Sequence, residues 1–190
     1  MADSATVTID LPEWALAVEE PGRPYRTAED RMRLVIELAR RNVRDGTGGP
    51  FGAGVFETES GRLVAVGVNS VVRSRCSVLH AEIIALARAQ KRLGSYTLAA
   101  AGMVPHSLYT SCDPCAMCLG AALWAGVKEI VCAATRQDAV SLRFDEGPVF
   151  PESYSYLRQR GITIRQRLLR DAARDVLELY RRTGGIIYNP

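Results

Sequence analysis

The chain has 190 residues, of which 47% are hydrophobic and 24% are charged, and its formal net charge is +3. This length suits one domain with a substantial core, and the composition is that of a globular protein. The small net charge argues against a nucleic-acid partner. No apolar run approaches the ~20 residues that span a bilayer, so we expect no membrane partner.

The N-terminus and the cysteines point to one compartment. The first ten residues contain neither the basic nor the apolar segment of a signal peptide. Five cysteines are an odd number for a disulfide framework. We therefore expect reduced thiols, metal binding and a cytoplasmic location.

The first half of the chain begins with an irregular segment. Residues 1–27 contain three prolines and predict an N-terminal arm with at most one short helical turn. Apolar residues then recur at helical spacing from Thr27 to Asp45, with Thr27 as the expected N-cap. Strands at about 53–58 and 62–69 flank a Gly-containing turn, which predicts an antiparallel hairpin.

The second half predicts alternating helices and strands. A helix over about 80–93 and a strand over about 107–111 precede a helix that should have Asp113 as its N-cap and Pro114 in its first turn. The remaining predicted elements are a strand at 129–134, one helix, a strand near 161–166 and a helix at about 171–182. An opening hairpin followed by this alternation predicts an α/β fold with a mixed sheet.

Two short clusters carry the chemistry, His80-Ala81-Glu82 and Pro114-Cys115-Ala116-Met117-Cys118. His80, Cys115 and Cys118 supply three zinc ligands and leave the fourth tetrahedral position open, as in a catalytic zinc site. Glu82 is the nearest candidate for the base that deprotonates a water. The paired pattern H-x-E…P-C-x-x-C is the signature of zinc-dependent nucleobase deaminases.

Two alternatives for the cysteines stay open. Cys112 extends the pattern to C-x2-C-x2-C, which with His80 could close a structural zinc site or form part of an iron–sulfur motif. An iron–sulfur cluster needs a fourth thiolate, but Cys132 is distant in sequence and is predicted to lie in a strand. Cys112 precedes an Asp-Pro turn and need not face the metal, so catalytic zinc is favoured. Cys76 and Cys132 are interpreted as buried thiols, and His106 as a surface residue.

The wider sequence resembles the cytidine deaminase-like superfamily, and bacterial guanine deaminases in particular. The resemblance spans residues 28–150 well and the first 27 residues least. It is carried by Gly49-Pro50-Phe51-Gly52-Ala53, Asn69, both clusters with their flanking residues, Trp124, Phe144-Asp145-Glu146-Gly147-Pro148 and the ending Gly185-Ile186-Ile187-Tyr188-Asn189. One departure is Asp113, where relatives often carry glutamate, and it puts only local loop contacts in doubt.

The resemblance implies a three-layer α/β/α fold with a central mixed five-stranded sheet, one Zn²⁺ per chain and a homodimer. Residues 28–190 would form the deaminase domain, and 151–190 a C-terminal extension that covers the active site. The implied reaction is hydrolysis of guanine to xanthine and ammonia. Because the metal chemistry does not distinguish bases, cytosine, guanosine and ammeline remain alternative substrates. An adenosine of transfer RNA is a less favoured substrate. A deaminase needs a basic groove to bind the RNA strand, and this chain has only two lysines.

The resemblance also implies roles for individual residues. Glu82 would take a proton from water and pass it to a ring nitrogen, and Glu146 would help to protonate the leaving amine. The implied substrate-binding residues are Asn69, Phe51, Ala81 and Trp124. Taken without the family, Glu146 could equally be a solvated acid in a turn, Asn69 a strand-end cap and Trp124 a core residue.

Overall fold

The computed structural model describes residues 8–19 and 24–189, which form eight helices and five strands. In chain order they are α1 (Glu13–Leu16), α2 (Ala28–Arg44), β1 (Gly52–Glu57), β2 (Leu63–Val68), α3 (Val71–Ser74), α4 (Ala81–Leu93), β3 (His106–Cys112), α5 (Ala116–Ala125), β4 (Glu129–Ala134), α6 (Arg136–Ser141), α7 (Pro151–Gln159), β5 (Thr163–Arg165) and α8 (Arg170–Arg182). Within these residues, no helix combines the length and apolar character needed to cross a membrane.

The strands form one five-stranded mixed sheet in the order β2-β1-β3-β4-β5. Strand β1 is antiparallel to β2 and β3, while β3, β4 and β5 are parallel to one another. Successive side chains of a strand point to opposite faces, so each face carries its own apolar cluster. One cluster packs against α4, α5 and α7, and the other against α2, α6 and α8. The predicted three-layer α/β/α fold is confirmed.

The edge of the sheet that holds the site follows from the strand directions. Gly52 pairs with Val68, and Ala53 pairs with Thr110. Because β1 runs opposite to β2 and β3, its beginning lies beside their ends. Phe51 before β1, Asn69 after β2 and the residues after β3 therefore meet at one edge.

Helix α2 forms as the sequence predicts. The Thr27 hydroxyl accepts a hydrogen bond from the Asp30 N–H at 3.0 Å, which satisfies one of the free donors at the helix start. The helix lies very close to β1, since a Cβ on Gly52 would meet the Val35 carbonyl oxygen at 2.6 Å. Only glycine permits this approach at the first residue of β1.

The N-terminal arm is described in part. Residues 1–7 and 20–23 of the expected arm lie outside the described residues, and the remainder contains the single turn α1. The Glu19 carboxylate accepts a hydrogen bond from the Val66 N–H at 2.7 Å and pairs with Arg88 and Arg92 of α4. These contacts attach the arm to β2 and α4.

Two local predictions are wrong. Helix α5 has Cys115 as its N-cap, not Asp113, and Pro114 lies before the helix. The Asp113 carboxylate instead accepts hydrogen bonds from the Arg136 N–H at 3.1 Å and from the Gln166 side chain at 3.0 Å. In addition, two helices, α6 and α7, connect β4 to β5 where one was expected, and a Thr135–Asp138 capping box starts α6.

The prediction that His106 lies on the surface is also wrong. His106 is the first residue of β3, pairs with Glu57 of β1 and is 1% exposed. Its Nδ1 lies 3.3 Å from the Leu98 carbonyl oxygen. Its Nε2 is buried, without a hydrogen-bond partner in the part of the chain that the structure describes. Because a carbonyl oxygen can only accept, Nδ1 carries the proton of the neutral ring. A second proton, on Nε2, would make the ring a buried cation with no acceptor for that N–H.

We expect His106 to make stability depend on pH. Burial lowers the pKa of His106, so below about pH 6.5 the unfolded chain binds a proton that the folded chain does not. The free energy of unfolding should then fall with falling pH, by at most about 1.4 kcal/mol per pH unit. Urea unfolding at about pH 7.5 and about pH 5.5 should show a smaller decrease for His106→Gln than for the wild type. An equal decrease in both proteins would contradict this expectation.

Candidate active site

The starts of α4 and α5 bring the predicted metal ligands together. His80 is the N-cap of α4, Cys115 is the N-cap of α5, and Cys118 lies in the first turn of α5. The His80 Nδ1 is 3.6 Å from the Cys115 sulfur and 3.7 Å from the Cys118 sulfur. All three ligand atoms lie within 4.8 Å of one another.

This geometry fits zinc. A tetrahedral zinc ion with nitrogen at ~2.1 Å and sulfur at ~2.3 Å separates those two ligand atoms by about 3.6 Å. Cys112 is not part of the group, and its thiol lies 3.5 Å from the Thr135 carbonyl oxygen. The described residues thus offer three protein ligands, which leaves one coordination position open. That number is typical of catalytic zinc and not of a closed structural site.

The pKa values of the two cysteine ligands are shifted in opposite directions. A hydrogen bond from Cys118 lowers the pKa of Cys115 to about 4, against the effect of burial. The same hydrogen bond, together with burial, raises the pKa of Cys118. The proton that the two sulfur atoms share has to leave when both bind the metal as thiolates.

Glu82 is a buried acid in the first turn of α4, 6% exposed. The Thr110 hydroxyl donates a hydrogen bond to its carboxylate at 3.1 Å. Burial raises the pKa of Glu82, and the negative charge of Cys115 adds to this effect. A carboxylate with a raised pKa is a stronger proton acceptor than an exposed one, which suits a general base.

Glu146 lies in the loop between α6 and α7 and is 7% exposed. Its backbone carbonyl accepts a hydrogen bond from the Ala116 N–H at the start of α5, at 3.0 Å. Burial raises the pKa of Glu146 to about 8, with further contributions from the charges of Cys115 and Glu82. A raised pKa favours the protonated carboxyl group, which can donate a proton.

Asn69 is held in a fixed orientation at the end of β2 but is not among the residues that line the cavity. Its backbone carbonyl accepts a hydrogen bond from the Asn42 side chain at 2.9 Å, and its side-chain oxygen accepts one from the Val71 N–H at 3.3 Å. Its side-chain nitrogen donates to the Tyr188 hydroxyl at 2.8 Å. The side chain of Asn69, which the resemblance predicts to bind the substrate, is therefore hydrogen-bonded to the C-terminal segment.

One small cavity of about 10 Å³ lies at this site. It is lined by Phe51, His80, Glu82, Cys112, Asp113, Cys115, Glu146, Tyr188 and Asn189. This volume is about that of a single water and is too small for a base. The C-terminal residues close the cavity, and Asn189 exchanges two backbone-directed hydrogen bonds with Asp145, of 2.7 and 2.6 Å.

The sequence did not assign roles to Tyr188 and Asn189, and its only signal was the resemblance of the chain ending. Of the other predicted residues, Phe51 lines the cavity, and Ala81 is the buried first residue of α4. The N–H of Ala81 is one of the helix-start donors without a partner in its own helix. Trp124 is 81% exposed near the end of α5, outside this cavity and outside the core.

The site combines an open three-ligand zinc centre with a buried carboxyl group beside it and a second buried acid. This combination and the fold define a zinc-dependent aminohydrolase. Residues 25–134 match the model of the cytidine and deoxycytidylate deaminase zinc-binding region, and the chain belongs to this family.

Individual relatives are similar over most of the chain. A guanine deaminase from Bacillus subtilis is 38% identical over 138 residues, which are 73% of this chain and 84% of the relative. A solved guanine deaminase from Nitrosomonas europaea is 44% identical with a TM-score of 0.90, covering 93% of this chain and 97% of its own. A variant of NE0047 in complex with 8-azaguanine is 42% identical with a TM-score of 0.92, covering 96% and 100%.

We expect the ligand set to be testable by metal analysis. Cys118→Ser should lower the zinc content of the purified protein to well below one ion per chain, because a hydroxyl is a far weaker zinc ligand than a thiolate. Cys112→Ser is the matched control and should keep its zinc. Loss of zinc from the control would return Cys112 to the ligand set.

Proposed function

We propose that this chain hydrolyses guanine to xanthine and ammonia. The observation that carries the proposal is the likeness, over 93% of the chain, to a solved guanine deaminase. The site geometry agrees with it, because the residues that hydrolytic removal of an amine requires surround one cavity. Guanine and water give xanthine and ammonia, so the reaction needs no redox partner.

Each residue of the site has its own role in the proposed reaction. When bound at His80, Cys115 and Cys118, zinc supplies Lewis-acid activation of a water molecule. Glu82 accepts the proton of that water and delivers it to a ring nitrogen of the base. The Thr110 hydroxyl fixes the orientation of the Glu82 carboxylate through their hydrogen bond. Glu146, whose pKa is raised by burial, gives a proton to the departing amine and regains one from the hydroxyl group on the same carbon as the carbonyl of xanthine forms.

Three further contacts would hold the base. Asn69 presents an amide whose geometry is fixed by its own hydrogen bonds. Phe51 offers an aromatic ring at the cavity wall, packed edge-on against Phe144 with 5.2 Å between centroids. The Ala81 N–H at the start of α4 is a preorganised donor for a developing oxyanion.

Ammonia release from guanine, guanosine, cytosine, cytidine, adenine and ammeline tests the proposal directly. We expect guanine to have the highest kcat/KM, with Glu82→Ala protein as the blank. A higher kcat/KM for another member of the panel would overturn guanine as the substrate. A transfer RNA is not proposed, because its binding needs a basic groove and the chain has only two lysines and a net charge of +3.

We expect Glu82→Gln to separate chemistry from metal binding. The amide has the shape of the carboxylate but cannot accept the proton, so kcat should fall by roughly 10²- to 10⁴-fold. The zinc content should stay at one ion per chain, because Glu82 is not a ligand. Stopped ammonia release with retained zinc is the expected pair of results. Loss of zinc in this variant would refute the assigned role.

We also propose that the C-terminal segment, residues 184–190, opens to admit the base and then covers it. The carbonyl of Ile186 is held by the Tyr180 hydroxyl at 2.7 Å, and Tyr188 fills the cavity between Asn69 and Phe144. Deleting 184–190 should lower kcat/KM roughly 10- to 100-fold, because the cavity then fills with water and the base is poorly held. A fully active truncated protein would exclude a covering role.

We further propose a homodimer formed through α5 and α7. These helices flank an apolar groove and expose three large aromatic residues, Trp124 at 81%, Phe150 at 58% and Tyr156 at 51%. Such a concentration of aromatic surface is unusual for a monomer and typical of an interface. Light scattering should give the dimer mass for the wild type and the monomer mass for Trp124→Glu. Val140 of α6, 38% exposed and on the opposite face of the sheet, supplies the control Val140→Glu, which should stay dimeric.

A cytoplasmic location fits the thiols. All five cysteines are free, and two of them serve the metal as thiolates. A reducing compartment keeps them in this state. We therefore propose that the enzyme works in the cytoplasm, which cell fractionation can test.

A further inference from the structure

The loop that carries Glu146 has few regular hydrogen bonds of its own. It links α6 to α7, and Gly147 within it has a φ of +67°. The Gly147 N–H is bonded to the Asp145 carboxylate at 2.8 Å, and the Val149 N–H is bonded to the Gly147 carbonyl at 2.9 Å. A loop of this kind does not fix a side chain as a helix does, so the position of the Glu146 carboxyl group depends on what holds the loop from outside.

Arg136, the first residue of α6, holds the loop through its side chain. Its guanidinium donates to the Gly147 carbonyl at 3.0 Å and to the Val149 carbonyl at 3.4 Å. Its own backbone N–H is fixed by the Asp113 carboxylate at 3.1 Å. One residue thus connects the end of β3, the start of α6 and the loop of the second acid.

The bonding of this guanidinium is unusual. In residues 8–19 and 24–189 no ion pair joins Arg136 to a carboxylate, although ten such pairs occur elsewhere. Its Nε is buried without a partner among the same residues. A guanidinium bonded to neutral carbonyls, with one N–H unsatisfied, stabilises the fold less than a paired one would. The arrangement is better explained by the loop that it holds and by its positive charge near the site.

We propose that Arg136 is a positioning residue for the reaction: its guanidinium fixes the backbone at Gly147 and Val149 and so holds the Glu146 carboxyl group against the base. The inference rests on the proposed function, because it assigns Glu146 the protonation of the leaving amine. Arg136 does not line the cavity, so it acts on the reaction through Glu146 and its loop. Its unpaired charge also opposes the effect of burial on the pKa of Glu146.

A double-mutant cycle tests the proposal. Arg136→Ala alone should lower kcat roughly 10- to 100-fold with KM changed less than about threefold, because the acid is misplaced after the base has bound. In the Glu146→Gln background the same change should lower kcat by less than about threefold, since the group that Arg136 positions is already absent. Millimolar guanidinium should restore part of the activity of Arg136→Ala but none to Glu146→Gln.

Matched variants separate positioning from folding. Arg88→Ala is the control, because Arg88 also donates to a backbone carbonyl, that of Val66, and is half-buried, but contacts β2 instead of the loop. It should lose stability without losing kcat. If Arg136→Ala does not fold, Arg136→Lys, which keeps the charge and one donor, should show an intermediate kcat and the same coupling to Glu146→Gln.

The outcomes are distinguishable. The cycle is measured with the base that the wild type turns over fastest. A wild type that releases ammonia from no base overturns the proposed function, and the inference with it. An active wild type whose Arg136 variants keep full kcat, or lose the same factor with and without Glu146, overturns the positioning role alone.

Discussion

The N-terminal ends of α4 and α5 lie close together in this structure. The three zinc ligands are the N-caps of these helices and one residue of the first turn of α5. Helices α4 and α5 start at His80 and Cys115, so two sets of free N–H groups and two positive helix ends face the same small volume. Those ends stabilise thiolate, but the site also buries the carboxyl groups of Glu82 and Glu146. Zinc with two thiolates and a neutral imidazole is formally neutral, so the metal would offset the sulfur charges and leave Glu82 and Glu146 for the roles proposed above.

The sheet topology is what allows two helix starts to coincide. Reversal of β1 between β2 and β3 places the beginning of one strand beside the ends of two others. The first turns of α4 and α5 therefore lie over the same sheet edge, where Thr110 of β3 reaches Glu82. A parallel β1 would move Phe51 to the opposite edge and remove it from the cavity wall.

The parts of this structure that sequence reasoning reached are those with a local signal. The helical period and Thr27 located α2, and the His80 and Cys115–Cys118 spacing located the zinc ligands. The parts it missed depend on distant contacts. Asp113 looked like a helix cap because its competing partners, Arg136 at the start of α6 and Gln166 after β5, come from later in the chain. His106 looked exposed because its burial follows from pairing with β1, and Tyr188 enters the site from the far end of the chain.

The two acids illustrate why one residue type needs two kinds of support. Glu82 lies on a helix start and is oriented by Thr110, so its position follows from the core. Glu146 lies on a loop, and its position depends on the Ala116 N–H, on the guanidinium of Arg136 and on the neighbouring Asp145. Asp145 is in turn bonded at both its N–H and its carbonyl to Asn189. The C-terminal segment that lines the cavity and the loop that carries Glu146 thus form one hydrogen-bonded unit, which in the proposed mechanism ties delivery of the proton to the closed state.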